Sequence, residues 1–114
     1  MAGARLVSRL GRDSAGDLIL GVCKRHGIDT SFVVRADIDT GVNIVLISPD
    51  GERCFLTNPE GSLRKLEPAD VFAAIEAPGF SDVRAVCFAS VFAYPLLMPA
   101  LAEIFRRIKE KGPI

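Results

Sequence analysis

The sequence predicts an α/β fold: parallel strands flanked by helices, interrupted by an antiparallel insertion at about residues 31–66. Three observations carry this. A short alternating segment, a Gly-containing turn and a helical period follow one another at the start, which is half of a βαβ unit. Two β-patterned runs separated by a Pro-Asp-Gly turn then form a hairpin. Beyond residue 67 the helical period returns around a continuous apolar run suited to a strand covered on both faces. At 114 residues the chain has the size of one small domain.

Ala4 to Leu10 reads as the first strand, bounded by Gly11. Asp13 or Ser14 can cap the following helix by accepting its free backbone N–H groups. That helix is expected to turn Leu18, Ile19, Val22 and Cys23 inward and to stop at Gly27. Phe32–Val34 is a short apolar run and Thr40-Gly41 a turn. Val42–Ile47 and Arg53–Asn58 are the arms of the hairpin, with Ser48-Pro49-Asp50-Gly51 between them. Glu67-Pro68-Ala69-Asp70 starts a helix whose apolar face is Val71, Phe72 and Ile75. Val83–Ala89 is predicted to be a buried parallel strand. A final helix places Leu97, Leu101, Ile104, Phe105 and Ile108 on one stripe, with Arg106, Arg107, Lys109 and Lys111 towards solvent. Only two parallel strands are evident, so the chain is expected to be an internal piece, running out at Gly112-Pro113-Ile114 where a further strand would begin.

Fourteen basic residues balance fourteen acidic ones, which argues against nucleic acid or anionic lipid as the main partner. The most apolar stretch is broken by Ser90, Tyr94, Pro95 and Pro99, so no membrane span is expected. Cys23, Cys54 and Cys87 are odd in number and widely spaced, as in a cytoplasmic protein with reduced thiols. His26 is the only histidine and has no companion for a metal site. Ser31, Ser48 and Ser81 have neither a nucleophile elbow nor a histidine partner, which removes a hydrolase.

Period-2 alternation sorts the hairpin residues. On Val42–Ile47, Asn43, Val45 and Ile47 share one face and Val42, Ile44 and Leu46 the other; on the return arm, Phe55 and Thr57 share one face and Cys54 and Leu56 the other. Both faces are apolar, so one is expected to meet substrate and core and the other a partner. Asn43 and Thr57 are the polar exceptions, and an amide and a hydroxyl can each donate and accept. Asn43 either meets a ligand or bonds a neighbouring loop; Phe55 stacks on a ring or packs in an interface. Ser90 follows the run Val83–Ala89, at the strand end where open α/β sheets bind ligands. Asp13 is read as a cap in preference to a catalytic acid.

In order, Gly11-Arg12-Asp13-Ser14-Ala15-Gly16, then Gly27-Ile28-Asp29-Thr30, then Thr40-Gly41, then Asp50-Gly51-Glu52-Arg53 resemble consecutive landmarks of the PfkB, or ribokinase-like, carbohydrate kinases. The resemblance covers about residues 5–112. Thr57–Leu63 and Ser90-Val91-Phe92 are similar to an uncharacterised sugar-kinase branch. The resemblance implies a partial ribokinase-like domain, with residues 1–30 and 67–114 as its α/β core and residues 31–66 as a β lid. It implies a parent enzyme that uses ATP and Mg2+ to phosphorylate a sugar hydroxyl, and a homodimer formed through the lid. Asn43 and Thr57 match lid positions that contact the sugar, with Phe55 and Ser90 as further candidates. Some relatives place a carboxylate near Ser90, but residues 83–102 contain no acid. The family's N-terminal sugar-binding Asp, its Gly-Gly-x-x-x-Asn segment and its Asp-Thr-x-Gly-Ala-Gly-Asp motif have no counterpart here. No catalytic residue is therefore assigned, and the chain alone is expected to be inactive. The alternative is a non-catalytic α/β module that dimerises through its hairpin.

Overall fold

The structure, a computed structural model, describes residues 3–112; the predicted strand start at Pro113-Ile114 lies outside them. β1 (Arg5–Gly11) leads through α1 (Ser14–Arg25) into β2 (Asp29–Ala36), and β1 and β2 pair in parallel. The Phe32–Val34 run, which patterning alone groups with the insertion, therefore belongs to the parallel sheet. The antiparallel pairing is confined to β3 (Asn43–Ile47) and β4 (Arg53–Thr57). A 3-10 turn at Ser62–Lys65 leads to α2 (Pro68–Glu76), and α3 (Leu101–Lys111) closes the described chain.

α1 differs from expectation in its rotation about its axis. Leu18 is 65% exposed and Val22 37%, whereas Gly16 and Cys23 are buried. The cause is a close backbone approach: a Cβ on Gly16 would lie 2.4 Å from the Gly11 carbonyl oxygen. The helix must turn its glycine to the sheet, and Cys23, seven residues on, shares that face. Leu18, two residues from Gly16, points away. The helix ends with the His26 N–H donating to carbonyls of its last turn and Gly27 at φ +66°, as the glycine stop predicts.

Patterning anticipates the main core. Val71 and Ile75 of α2 and Ile104 and Ile108 of α3 bury together with Leu66, Phe80 and Leu97. Val7 of β1 packs against this cluster. Leu97 enters it from before α3, which begins only at Leu101 after a 3-10 turn at Met98–Ala100. Phe105 stays about half exposed and meets Phe88 edge-on at 5.1 Å. Pro68 opens α2, and the Asp70 carboxylate accepts from the Glu67 N–H at 2.9 Å.

The predicted strand Val83–Ala89 is not a strand. Val83 and Phe88 pack on the core, but the segment is mostly exposed and no described residue pairs with it. Apolar composition favours a strand only where a neighbouring backbone supplies the ladder. No helix among the described residues is long and apolar enough to cross a membrane.

Candidate functional site: a projecting hairpin on a clamped base

The hairpin turn follows its sequence. The Gly51 N–H donates to the Ser48 carbonyl at 2.9 Å, the Ser48 N–H to the Glu52 carbonyl at 3.0 Å, and Gly51 takes φ +89°. The turn sets the register, which pairs Ile47 with Arg53, Val45 with Phe55 and Asn43 with Thr57. Asn43 and Thr57 thus stand directly opposite each other at the base of the ribbon, on one face with Phe55. The other face carries Ile44 opposite Leu56 and Leu46 opposite Cys54. Every residue of β3 and β4 is exposed. Three of the four candidate residues are therefore brought together. Ser90 is elsewhere, capping a 3-10 turn at Val91–Ala93 with φ +53°, its carbonyl accepting from the Ala93 N–H. It is the one non-glycine at positive φ among the described residues.

Beneath the hairpin lies a polar cluster built from two of the landmarks. The Asp13 carboxylate accepts from the Gly16 N–H at 2.7 Å, the Thr40 N–H at 2.7 Å and the Thr40 hydroxyl at 2.6 Å. Hydrogen bonds to the charged form hold the Asp13 carboxyl at about 2, the Thr40 hydroxyl contributing most. Thr40 is buried, and its hydroxyl oxygen accepts from the Gly11 N–H at 2.9 Å. A Cβ on Gly11 would lie 2.2 Å from the Ile38 carbonyl oxygen and 2.6 Å from the Thr40 nitrogen. Gly11, Asp13, Gly16 and Thr40 are one structural unit. Asp13 caps α1, as expected, and accepts three hydrogen bonds within this unit.

Ser62 was not legible as a member of the site. It is 1% exposed; its N–H donates to the Asp39 carbonyl at 2.8 Å and its hydroxyl accepts from the Gly41 N–H at 3.3 Å. The only sequence signal was small residues at both stems, Gly41 and Gly61-Ser62. A Cβ on Gly61 would lie 2.8 Å from the Gly41 Cα, so the stems touch backbone to backbone. The pair Arg9–Asp70 was missed for a different reason: its partners lie 61 residues apart. Among the described residues, no three His, Cys, Asp or Glu side chains converge on a cation position. By themselves they do not fit a resident Mg2+.

A parallel β–α–β unit with an antiparallel hairpin clamped to its strand ends defines a class: the ribokinase-like α/β folds. The sequence profile of the pfkB family carbohydrate kinases matches residues 2–113. This chain belongs to that family. It is similar to an uncharacterized sugar kinase of Archaeoglobus fulgidus, 30% identical over 53 residues, covering 46% of this chain and 21% of that one. Among solved structures, an uncharacterized sugar kinase from Pyrococcus horikoshii superposes with a TM-score of 0.70 at 18% identity, over 97% of this chain and 36% of its own. A fructokinase from Xylella fastidiosa superposes with a TM-score of 0.68 at 20% identity, over 99% of this chain and 36% of its own. That fructokinase is also solved with bound ATP. The chain thus spans about a fifth to a third of the length of these relatives.

Proposed function

We propose that this chain is the substrate-covering part of an ATP-dependent sugar kinase, which transfers the γ-phosphoryl group of ATP to a sugar hydroxyl. The observation that carries this reading is the direct pairing of Asn43 with Thr57 at the base of an exposed ribbon. An amide and a hydroxyl side by side can satisfy two adjacent sugar hydroxyls in either hydrogen-bonding sense. Phe55, the next pair along the same face, offers a ring to the apolar side of a sugar. Ser90 is a separate candidate contact, held on the body. The chain alone carries no general base for the acceptor hydroxyl and is inactive by itself.

A second reading rests on the opposite face of the hairpin. Ile44, Leu46 and Leu56 are each more than half exposed, and a two-stranded ribbon apolar on both sides is unstable in water alone. That face is suited to a second copy of the chain. If no sugar binds, a dimerising module without catalysis remains.

The test is a titration of the isotope-labelled chain with a panel of pentoses and hexoses, followed by amide chemical shifts. The expected result is a sugar whose binding moves the Asn43 and Thr57 amides, with the response lost in Asn43→Ala. Shifts confined to other elements, or none with any sugar, would sink the sugar reading. ADP release by the chain with ATP and sugar is expected to be absent, and turnover would refute its inactivity.

A further inference from the structure

The β3–β4 ribbon is exposed along its whole length, and it joins the body only through residues 37–42 and 58–62. How those two stems are held decides where the ribbon points. On the first stem, Thr40 is locked from below by the Asp13 carboxylate, at both its N–H and its hydroxyl, and Thr40 in turn holds the Gly11 N–H. On the second, buried Ser62 reaches across to the Asp39 carbonyl and the Gly41 N–H. The stems meet between Gly41 and Gly61, where a Cβ on Gly61 would lie 2.8 Å from the Gly41 Cα. Above that level, the side-chain hydrogen bonds of the described residues lie within the turn (Ser48, Asp50) or on the second stem, where Asn58 accepts from the Glu60 N–H and Lys65 of the 3-10 turn donates to the Glu60 carboxylate.

We infer that Asp13, Thr40 and Ser62 are positioning residues for the hairpin. Together they fix the angle at which the arm leaves the body, with the pivot at Gly41 and Gly61. Asn43 lies two residues beyond the pivot and Thr57 four residues before it. The Asp13 carboxylate therefore sets the placement of both without reaching a ligand itself. The consequence for binding rests on the sugar-contact reading of Asn43 and Thr57; the mechanical statement does not. A preorganised arm contributes to affinity by removing the cost of ordering it at each binding event.

The test measures arm geometry in the full chain without ligand. Spin labels go on Glu52→Cys at the hairpin turn and Lys109→Cys on α3, both exposed, with Cys54 and Cys87 changed to Ser. Labelled chain is diluted in unlabelled chain so that contacts between copies do not contribute. A narrow distance distribution is expected for the parent and for Thr40→Ser, which keeps the hydroxyl. Thr40→Val and Ser62→Ala are each expected to widen it at least about twofold, with far-UV circular dichroism unchanged. An unchanged width in a folded Thr40→Val overturns the inference. If Thr40→Val does not fold, an unchanged width in Ser62→Ala overturns it instead. Sugar titrations of the same variants separate the two claims. Broadening with no sugar response at Asn43 leaves the positioning role standing and removes the sugar reading. Where both hold, Thr40→Val weakens binding about tenfold and Thr40→Ser restores it.

Discussion

At the residue scale, the decisive group is Asp13, whose short side chain closes a helix start and holds a distant loop. Asn at this position would turn an NH2 towards one of the donors now facing the carboxylate. Asp13→Asn is expected to lower the urea midpoint at neutral pH. The sign of its pH dependence follows from the carboxyl being held at about 2, below its ordinary value of 3.8. A depressed carboxyl contributes stability above its unfolded value, and that contribution is lost as pH falls through the folded one. The gap in stability between parent and Asp13→Asn is therefore expected to shrink between about pH 4 and pH 2. Glu103, also held at about 2 by Arg106 and Arg107, is present in both proteins and cancels from the difference. The neighbouring glycines test the same unit sterically. Gly16→Ala drives a Cβ towards the Gly11 carbonyl, and a cost of about 1–3 kcal/mol in chemical denaturation is expected, as for other overpacked sites. Asp13 was legible as a cap, whereas the close approach at Gly16 was not. Their link to Thr40 was not, because 27 residues separate the partners and only the return of β2 beside β1 brings them together.

At the scale of elements, α2 and α3 form the best-packed part of the molecule, and their period was readable because amphipathic spacing survives without knowledge of the partner. Ile104 is fully buried. Ile104→Val is expected to cost about 1 kcal/mol, and Ile104→Ala about 3–4 kcal/mol, by urea titration; the steep ratio between them is the signature of a cavity. The Arg9 guanidinium ties β1 to α2 through the Asp70 carboxylate at 2.6 Å, and neither side chain is more than 17% exposed. Arg9→Met is expected to cost about 1–3 kcal/mol, since Asp70 stays partly buried without its cation. Asp70→Asn together with Arg9→Met should recover part of that loss. Val83–Ala89 shows the limit of reading elements from composition. Its apolar run states that the segment prefers to be buried, but strand formation depends on a neighbouring edge that composition does not contain.

For the whole molecule, shape records how much apolar surface is left over. The radius of gyration is 15.7 Å, against about 13 Å for a compact chain of this length. The accessible surface is 7799 Å², where a compact monomer of this mass has about 6,100 Å². The hairpin contributes to both excesses. Leu46→Lys combined with Leu56→Lys, on the face away from Asn43, is expected to abolish any concentration-dependent association in sedimentation velocity while leaving helical circular dichroism intact. Association that persists in this variant would place the self-contact elsewhere.

The sequence by itself determined the family, the β–α start, the hairpin with its turn, and the alternation of side chains along each of its arms. These rest on local rules: turn chemistry, capping, and periods of two and 3.6 residues. Only the tertiary structure decided the rotation of α1 about Gly16, the unpaired state of Val83–Ala89, and the clamp of Asp13, Thr40 and Ser62 beneath the hairpin. The clamp joins groups 27 and 21 residues apart in the chain, α1 is turned by the close approach of Gly16 to Gly11, and Val83–Ala89 has no neighbouring strand among the described residues. Such contacts leave at most a glycine or a small polar residue as their trace in the sequence.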